Sequence, residues 1–219
     1  MRYRVLIAML VGLSAPAVAG GRVSGMVSVT NADGKLAPSD AIVYVVGFNE
    51  PATADEVAAT IAQKGRRFDP DLVAITVGQA VSFPNGDPFL HNVFSQSPAR
   101  RFDLGSFKKG ESKEKSFTSL GVVDVYCNIH PEMAATILVL PNTRHTHTDR
   151  DGRFVIDGVP PGRWTVFAYA RRATKPVSAP VTIVEGQEAK VDLSLMRGAE
   201  PPHVNKYGEK YKPPTTSYR

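Results

Sequence analysis

Cysteine is nearly absent: Cys127 is the only one in 219 residues. That excludes an intramolecular disulfide framework and the thiolate-rich kind of structural zinc site. Long apolar runs are missing as well. The stretch from Val5 to Leu13 is too short to cross a bilayer, and no later segment is apolar enough, so no integral membrane segment is expected. Charge of one sign is not in real excess. The formal net charge is +5, but Arg2 and Arg4 fall in the N-terminal leader, the C-terminal stretch 197–219 is itself basic, and the body between them is neutral. No folded face reads as both basic and aromatic, which argues against a nucleic-acid partner. The loop charges Arg100-Arg101 and Lys108 to Lys115 read as solvated, with a steering role for an acidic partner as their functional alternative.

The leader has its own signature. Met1 to Ala19 begins with Arg2 and Arg4, continues through the apolar run and ends Ala17-Val18-Ala19, a small-residue cleavage site. Residues 1–19 are therefore expected to be a cleaved secretory signal peptide. No cysteine follows the cleavage site to carry a lipid, so the mature chain is expected to be periplasmic or otherwise exported. A lone thiol in an exported protein is reactive, intermolecular or liganded.

Its neighbours favour the last of these. Cys127-Asn128-Ile129-His130-Pro131-Glu132-Met133 places a thiolate, an imidazole and a thioether in one turn, and His91 supplies a second imidazole from far upstream. Two histidines and a cysteine with a weak axial methionine form the ligand set of a mononuclear blue-copper site. One loop can fold around a single ion, while only a folded domain can bring in His91. Gly121 to Cys127 has strand composition, and Val123, Val125 and Cys127 share one face by the period of two. The thiolate then points inward from a strand end, and Ala134 to Leu140 reads as the partner strand. Zinc is the chemical rival, but it rarely uses methionine. Catalysis by Cys127 would need a base and an oxyanion hole that nothing in the sequence suggests, so an enzyme is not expected.

At these residues the chain resembles the cupredoxins, the plastocyanin and amicyanin family of copper electron carriers. The short Cys127–His130–Met133 spacing with Pro131 is most like amicyanin. His91-Asn92-Val93 is similar to the upstream ligand triplet, where the resemblance implies that Asn92 braces the two ligand loops. The stretch Phe83-Pro84-Asn85-Gly86-Asp87 through His91-Asn92-Val93-Phe94-Ser95 also resembles exported cupredoxin-like proteins of the methylamine-utilisation type. The resemblance implies one copper ion cycling between Cu(I) and Cu(II), held by His91, Cys127, His130 and Met133, and a protein redox partner docking over His130 beside Pro88 and Phe89.

The flanking segments have a different character. Val23 to Val29, Ala41 to Val46, Phe154 to Ile156, Trp164 to Tyr169, Val181 to Val184 and Ala189 to Leu195 are short strands punctuated by Asn31-Ala32-Asp33-Gly34, Asp151-Gly152 and Pro160-Pro161-Gly162, the signature of a sandwich. Thr148-Asp149-Arg150-Asp151-Gly152-Arg153-Phe154 with Val159-Pro160-Pro161-Gly162-Arg163-Trp164 resembles the carboxypeptidase regulatory-like domain, a transthyretin-like β-sandwich. That family carries its first two strands directly before the Asp-Gly turn, whereas here they lie far upstream. One sandwich split by an insertion at a loop tip accounts for this; the alternative is that Gly21 to Val46 supplies outer strands to the cupredoxin sheet.

The reading is therefore all-β: a cupredoxin Greek-key β-sandwich or barrel over 66–141, and a transthyretin-like sandwich over 20–49 and 142–196 split around it. A connecting helix is expected over 50–65, from the capping box Thr53-Ala54-Asp55-Glu56, the Val57–Ile61 spacing and Gly65 as a stop. The tail 197–219, with its prolines and no apolar periodicity, is expected to be disordered. His145-Thr146-His147 near Asp149 is a weak candidate for a second metal site. Trp164 reads as core. The function expected is one-electron transfer by a monomer. Copper storage, delivery or sensing is the first alternative, and a non-redox binding module the second.

Overall fold

Valine-, isoleucine- and threonine-rich runs, cut by glycine and aspartate turns, fold as strands throughout the computed structural model, which describes residues 20–50, 57–199 and 202–211. There is no helix among the described residues. The expected leader, residues 1–19, lies outside the described residues; the strands sort into two sandwiches with separate hydrophobic cores.

In the first, Gly21–Asn31 is the hub. It pairs antiparallel with Arg153–Val159 and Leu36–Ala37, and parallel with Glu188–Lys190 and Leu193–Arg197. A facing sheet runs His145–His147, Ile42–Val46, Gly162–Tyr169, Val177–Ile183. Residues from both sides of the ligand-bearing segment thus share both sheets. Alternate side chains such as Val23, Val27, Val43, Val45, Ile156 and Val166 meet between them, as a period of two demands. Trp164 packs on Phe48 at the rim and donates Nε1–H to the Pro160 carbonyl at 2.7 Å. Cβ atoms on Gly47 and Gly162 would stand 2.7 and 2.6 Å from its ring, so both glycines make room for the indole.

The second sandwich carries the ligands. One sheet runs Phe102–Phe107, His91–Ser95, Gly121–Tyr126, Ala134–Leu140, Leu72–Thr76; the other runs Ser112–Ser116, Ala80–Pro84, Ala59–Thr60. Ala134–Leu140 is buried at every position. Ala135, Ile137 and Val139 enter the core beneath the site. Leu138 and Leu140 face the other way, into a small cluster with Leu72 and, from the first sandwich, Ile42, Tyr44 and Tyr169. A strand covered on both faces reads as a continuous apolar run, which is how this one reads.

Two expectations are corrected. Residues 57–65 are not helical: Ala59–Thr60 pairs with Ala80–Pro84, Ala62–Gln63 with Phe68–Asp69, and the Ile61 amide donates to the Ser82 carbonyl at 2.9 Å. The capping-box residues 53–56 lie outside the described residues. The spacing of four between Val57 and Ile61 fits a strand as well as a helix. Ala59, Ile61 and Gln63 all turn inward by the period of two, while Val57 is 85% exposed. The tail is the second correction. Arg197 ends a paired strand, and residues 202–211 lie against the second sandwich through polar contacts that composition does not reveal.

Candidate metal centre

Three of the four candidate ligands sit at strand ends, and His130 rides on the turn between two of those strands. His91 opens His91–Ser95. Cys127 directly follows Gly121–Tyr126, and with Val123 and Val125 it is fully buried on one face. Tyr126 pairs with Phe94 on one side and Ala134 on the other, so a single cross-strand row fixes both ligand segments. The turn between the strands closes on itself. The Met133 amide donates to the His130 carbonyl at 3.0 Å, and the Cys127 amide to the Met133 carbonyl at 3.2 Å. Met133 is fully buried in the same core cluster as Cys127.

The geometry brings three donors together. His91 Nδ1 and His130 Nδ1 stand 3.1 Å apart, and Cys127 Sγ lies 3.8 and 3.7 Å from them. An ion with imidazole nitrogens at ~2.0 Å and a thiolate at ~2.3 Å holds coplanar donors roughly 3.5 Å apart for N–N and 3.7 Å for N–S. The triangle fits one first-row metal ion. It is also the one such group of three or more potential ligands among the described residues. His145 and His147, half-buried or exposed on their strand, do not join one.

The side chain that sequence reasoning missed is Asp87. Its Oδ2 lies 2.8 Å from His91 Nε2. Its oxygens also accept the backbone amides of Gly65 at 2.7 Å and Arg66 at 3.0 Å, residues that both take positive φ. Burial pushes the Asp87 carboxyl up, but the Arg66 amide, the His91 ring and the Gly65 amide outweigh it and hold it at about 2. An ionised carboxylate can only accept. His91 Nε2 must therefore carry the proton, which leaves the Nδ1 lone pair facing the other donors. Asn85 anchors this turn, accepting the Asp87 amide on Oδ1 and donating Nδ2 to the Phe89 and Phe107 carbonyls. Nothing in the sequence separates Asp87 from an ordinary turn aspartate beyond its place four residues before His91.

Asn92 sits where the brace was expected. Its Oδ1 accepts the Asn128 amide at 3.3 Å, and its Nδ2 donates to Asp103 at 2.7 Å. His130 is only half-buried. Burial lowers its pKa, and the neighbouring His91 and Arg66 push the same way against Glu132 and Asp87, which favours the neutral ring a metal requires. Phe89, 37% exposed, lies over both imidazoles with centroids 5.2 and 5.5 Å away, and the Arg66 guanidinium caps its ring. From the C-terminal segment, Tyr211 donates Oη–H to the Cys127 carbonyl at 3.0 Å. Burial, with Cys127 and Tyr126 close by, pushes this phenol up to about 12, so it stays a donor.

The family model for the carboxypeptidase regulatory-like domain matches residues 130–196. Among solved structures, the chain is similar to a purple cupredoxin from Nitrosopumilus maritimus, with 24% identity over 37% of this chain and 99% of that one, at a TM-score of 0.34. It is similar to an amicyanin mutant in its Cu(I) state, with 21% identity over 45% of this chain and 98% of that one, at a TM-score of 0.36. It is also similar to a copper-containing nitrite reductase from Thermus scotoductus, with 26% identity over 43% of this chain and 27% of that one, at a TM-score of 0.36. No curated protein matches the chain.

Proposed function

We propose that this protein is an exported mononuclear copper protein that carries single electrons between redox partners. His91 and His130 would hold the ion through Nδ1, Cys127 through its thiolate, and Met133 as the weak axial ligand. The observation that carries the reading is the triangle of two Nδ1 atoms and one Sγ, all within 4.8 Å, with His91 and Cys127 buried and His130 half-buried, and a buried methionine closing the loop. Copper bound there supplies reversible one-electron chemistry, because this ligand set suits both of its oxidation states.

The chain's own residues do the rest. Asp87 orients His91 and fixes its tautomer. Asn92 ties the Cys127 turn to the His91 strand. The apolar shell of Val93, Phe107, Val125 and Ile137 excludes water from the thiolate. Half-exposed His130 beneath Phe89 is the point of closest approach for a partner protein, and a small apolar patch suits an encounter that must dissociate quickly. That exposure supports electron transfer over copper storage.

The test is spectroscopic. Protein loaded with cupric ion is expected to show an intense thiolate-to-copper absorption band that bleaches on reduction and returns on oxidation. Cys127→Ser should abolish the band. Met133→Gln should keep it and lower the reduction potential, since the axial ligand tunes that potential. Stoichiometric zinc with no affinity for copper would overturn the proposal.

A further inference from the structure

Residues 202–211 cross the outside of the ligand turn, and their contacts converge on one peptide bond. The Cys127 carbonyl accepts the Tyr211 hydroxyl at 3.0 Å, and the Asn128 amide donates to Asn92 Oδ1 at 3.3 Å. The peptide that joins the thiolate residue to the rest of the turn is thus held at both ends. The grip on Asn92 is itself closed by the same segment. Lys206 donates its backbone amide to Asn128 Oδ1 at 3.0 Å and its Nζ to Asp103 Oδ2 at 2.8 Å, while Asp103 Oδ1 accepts Asn92 Nδ2 at 2.7 Å. Asn92, Asp103, Lys206 and Asn128 form a complete ring of hydrogen bonds, and two of its four links come from one lysine.

The segment is built to stay in place. Gln96 Nε2 donates to the Lys206 carbonyl at 2.8 Å. Asn205 Oδ1 accepts the amides of Tyr207 and Glu209, giving the segment its own turn. His203 stacks on Tyr126, the residue before Cys127, with centroids 4.1 Å apart and planes 11° from parallel. Tyr211 meets the His203 ring edge-on at 5.3 Å. Simple surface packing would spread such contacts along the sandwich rather than gather them around one ligand.

We infer that residues 203–211 are a positioning clamp on the Cys127–Asn128 peptide, with Lys206 and Tyr211 as its working residues, and that the clamp tunes the metal's preference between oxidation states. This rests on the copper reading. A hydroxyl dipole directed at the Cys127 carbonyl and a cation on the Asn92 network both favour the more electron-rich, reduced site. Removing either should therefore lower the potential.

Two variants of the full chain test this. Tyr211→Phe removes only the hydroxyl. Lys206→Pro removes both lysine links, because proline has no backbone N–H. In the metal-free protein, amide hydrogen exchange at Asn128 should quicken at least tenfold in Lys206→Pro; an unchanged rate overturns the clamp, whatever copper does. In the copper-loaded protein, each variant should keep the thiolate band but shift its position. Its potential should fall by about 59 mV for a tenfold change in relative affinity for the two oxidation states of a one-electron couple. Native-like potentials and bands in both variants would overturn the tuning. Failure of the unmodified protein to take up copper would instead sink the copper reading, and the exchange measurement would still decide the clamp.

Discussion

At the scale of single residues, the site depends on which nitrogen of each histidine is free. Asp87 settles this for His91, and it does so cheaply in sequence terms, with one turn aspartate held by two backbone amides. Partners of this kind generally contribute ten- to hundredfold to metal affinity. Asp87→Asn keeps the shape but no longer demands a proton on Nε2. Cu(I) affinity, measured by competition with a chelator, is expected to fall by about ten- to hundredfold, with the protein still folded; an unchanged affinity would remove Asp87 from the metal site. The four candidate ligands were legible because their types and order are unusual. Asp87 and Lys206 were not, since an aspartate in a turn and a lysine in a proline-rich tail are commonplace, and only the fold brings them to the ligands.

At the scale of elements, strands with strict alternation were readable and segments whose pairing is purely tertiary were not. Gly121 to Cys127 and Ala134 to Leu140 announce themselves by apolar pattern. Residues 57–65 do not, because a spacing of four satisfies both periods, and the choice falls to the edge of Ala80–Pro84 that was waiting for a partner. The C-terminal segment is the sharper case, held by backbone carbonyls, amides and a few side chains. One of its anchors titrates. Burial pushes the Asp103 carboxyl up, but the Lys206 ammonium, the Gly105 amide and the Asn92 amide hold it below its ordinary value. A carboxyl depressed in the folded state contributes stability above its unfolded pKa of about 3.9, and that contribution is lost as pH falls below it. Both partners are partly exposed, so the pair is worth at most about 1 kcal/mol. Amide exchange across residues 203–211 of the metal-free protein, corrected for intrinsic rates, is therefore expected to quicken by up to about fivefold between pH 5 and pH 3. Protection that is flat across that range would show that the ion pair does not hold the segment.

At the scale of the whole molecule, the question is whether two sandwiches behave as one. Their strands are interleaved along the chain, since Gly21–Asn31 and Ile42–Val46 must wait for Arg153–Val159 and Gly162–Tyr169 to pair. Their cores also touch through Leu138 and Leu140, which leave the ligand-bearing sheet to meet Ile42 and Tyr169. The strand that carries Ile137 beneath the site is therefore the strand that carries Leu138 into the other sandwich. Truncating Leu138 to alanine leaves every proposed ligand and its hydrogen bonds in place and costs about 2–5 kcal/mol for the lost contacts and the cavity. For a chain of this size each kcal/mol lowers the melting temperature by roughly 2–4 °C. If the shared strand couples the sandwiches, calorimetry of the metal-free protein should show one transition that moves down as a unit in Leu138→Ala, and copper should raise that same transition in both proteins because it binds only the folded state. Two transitions, of which copper moves one and the substitution the other, would mean that the contact at Leu138 joins two bodies without coupling them.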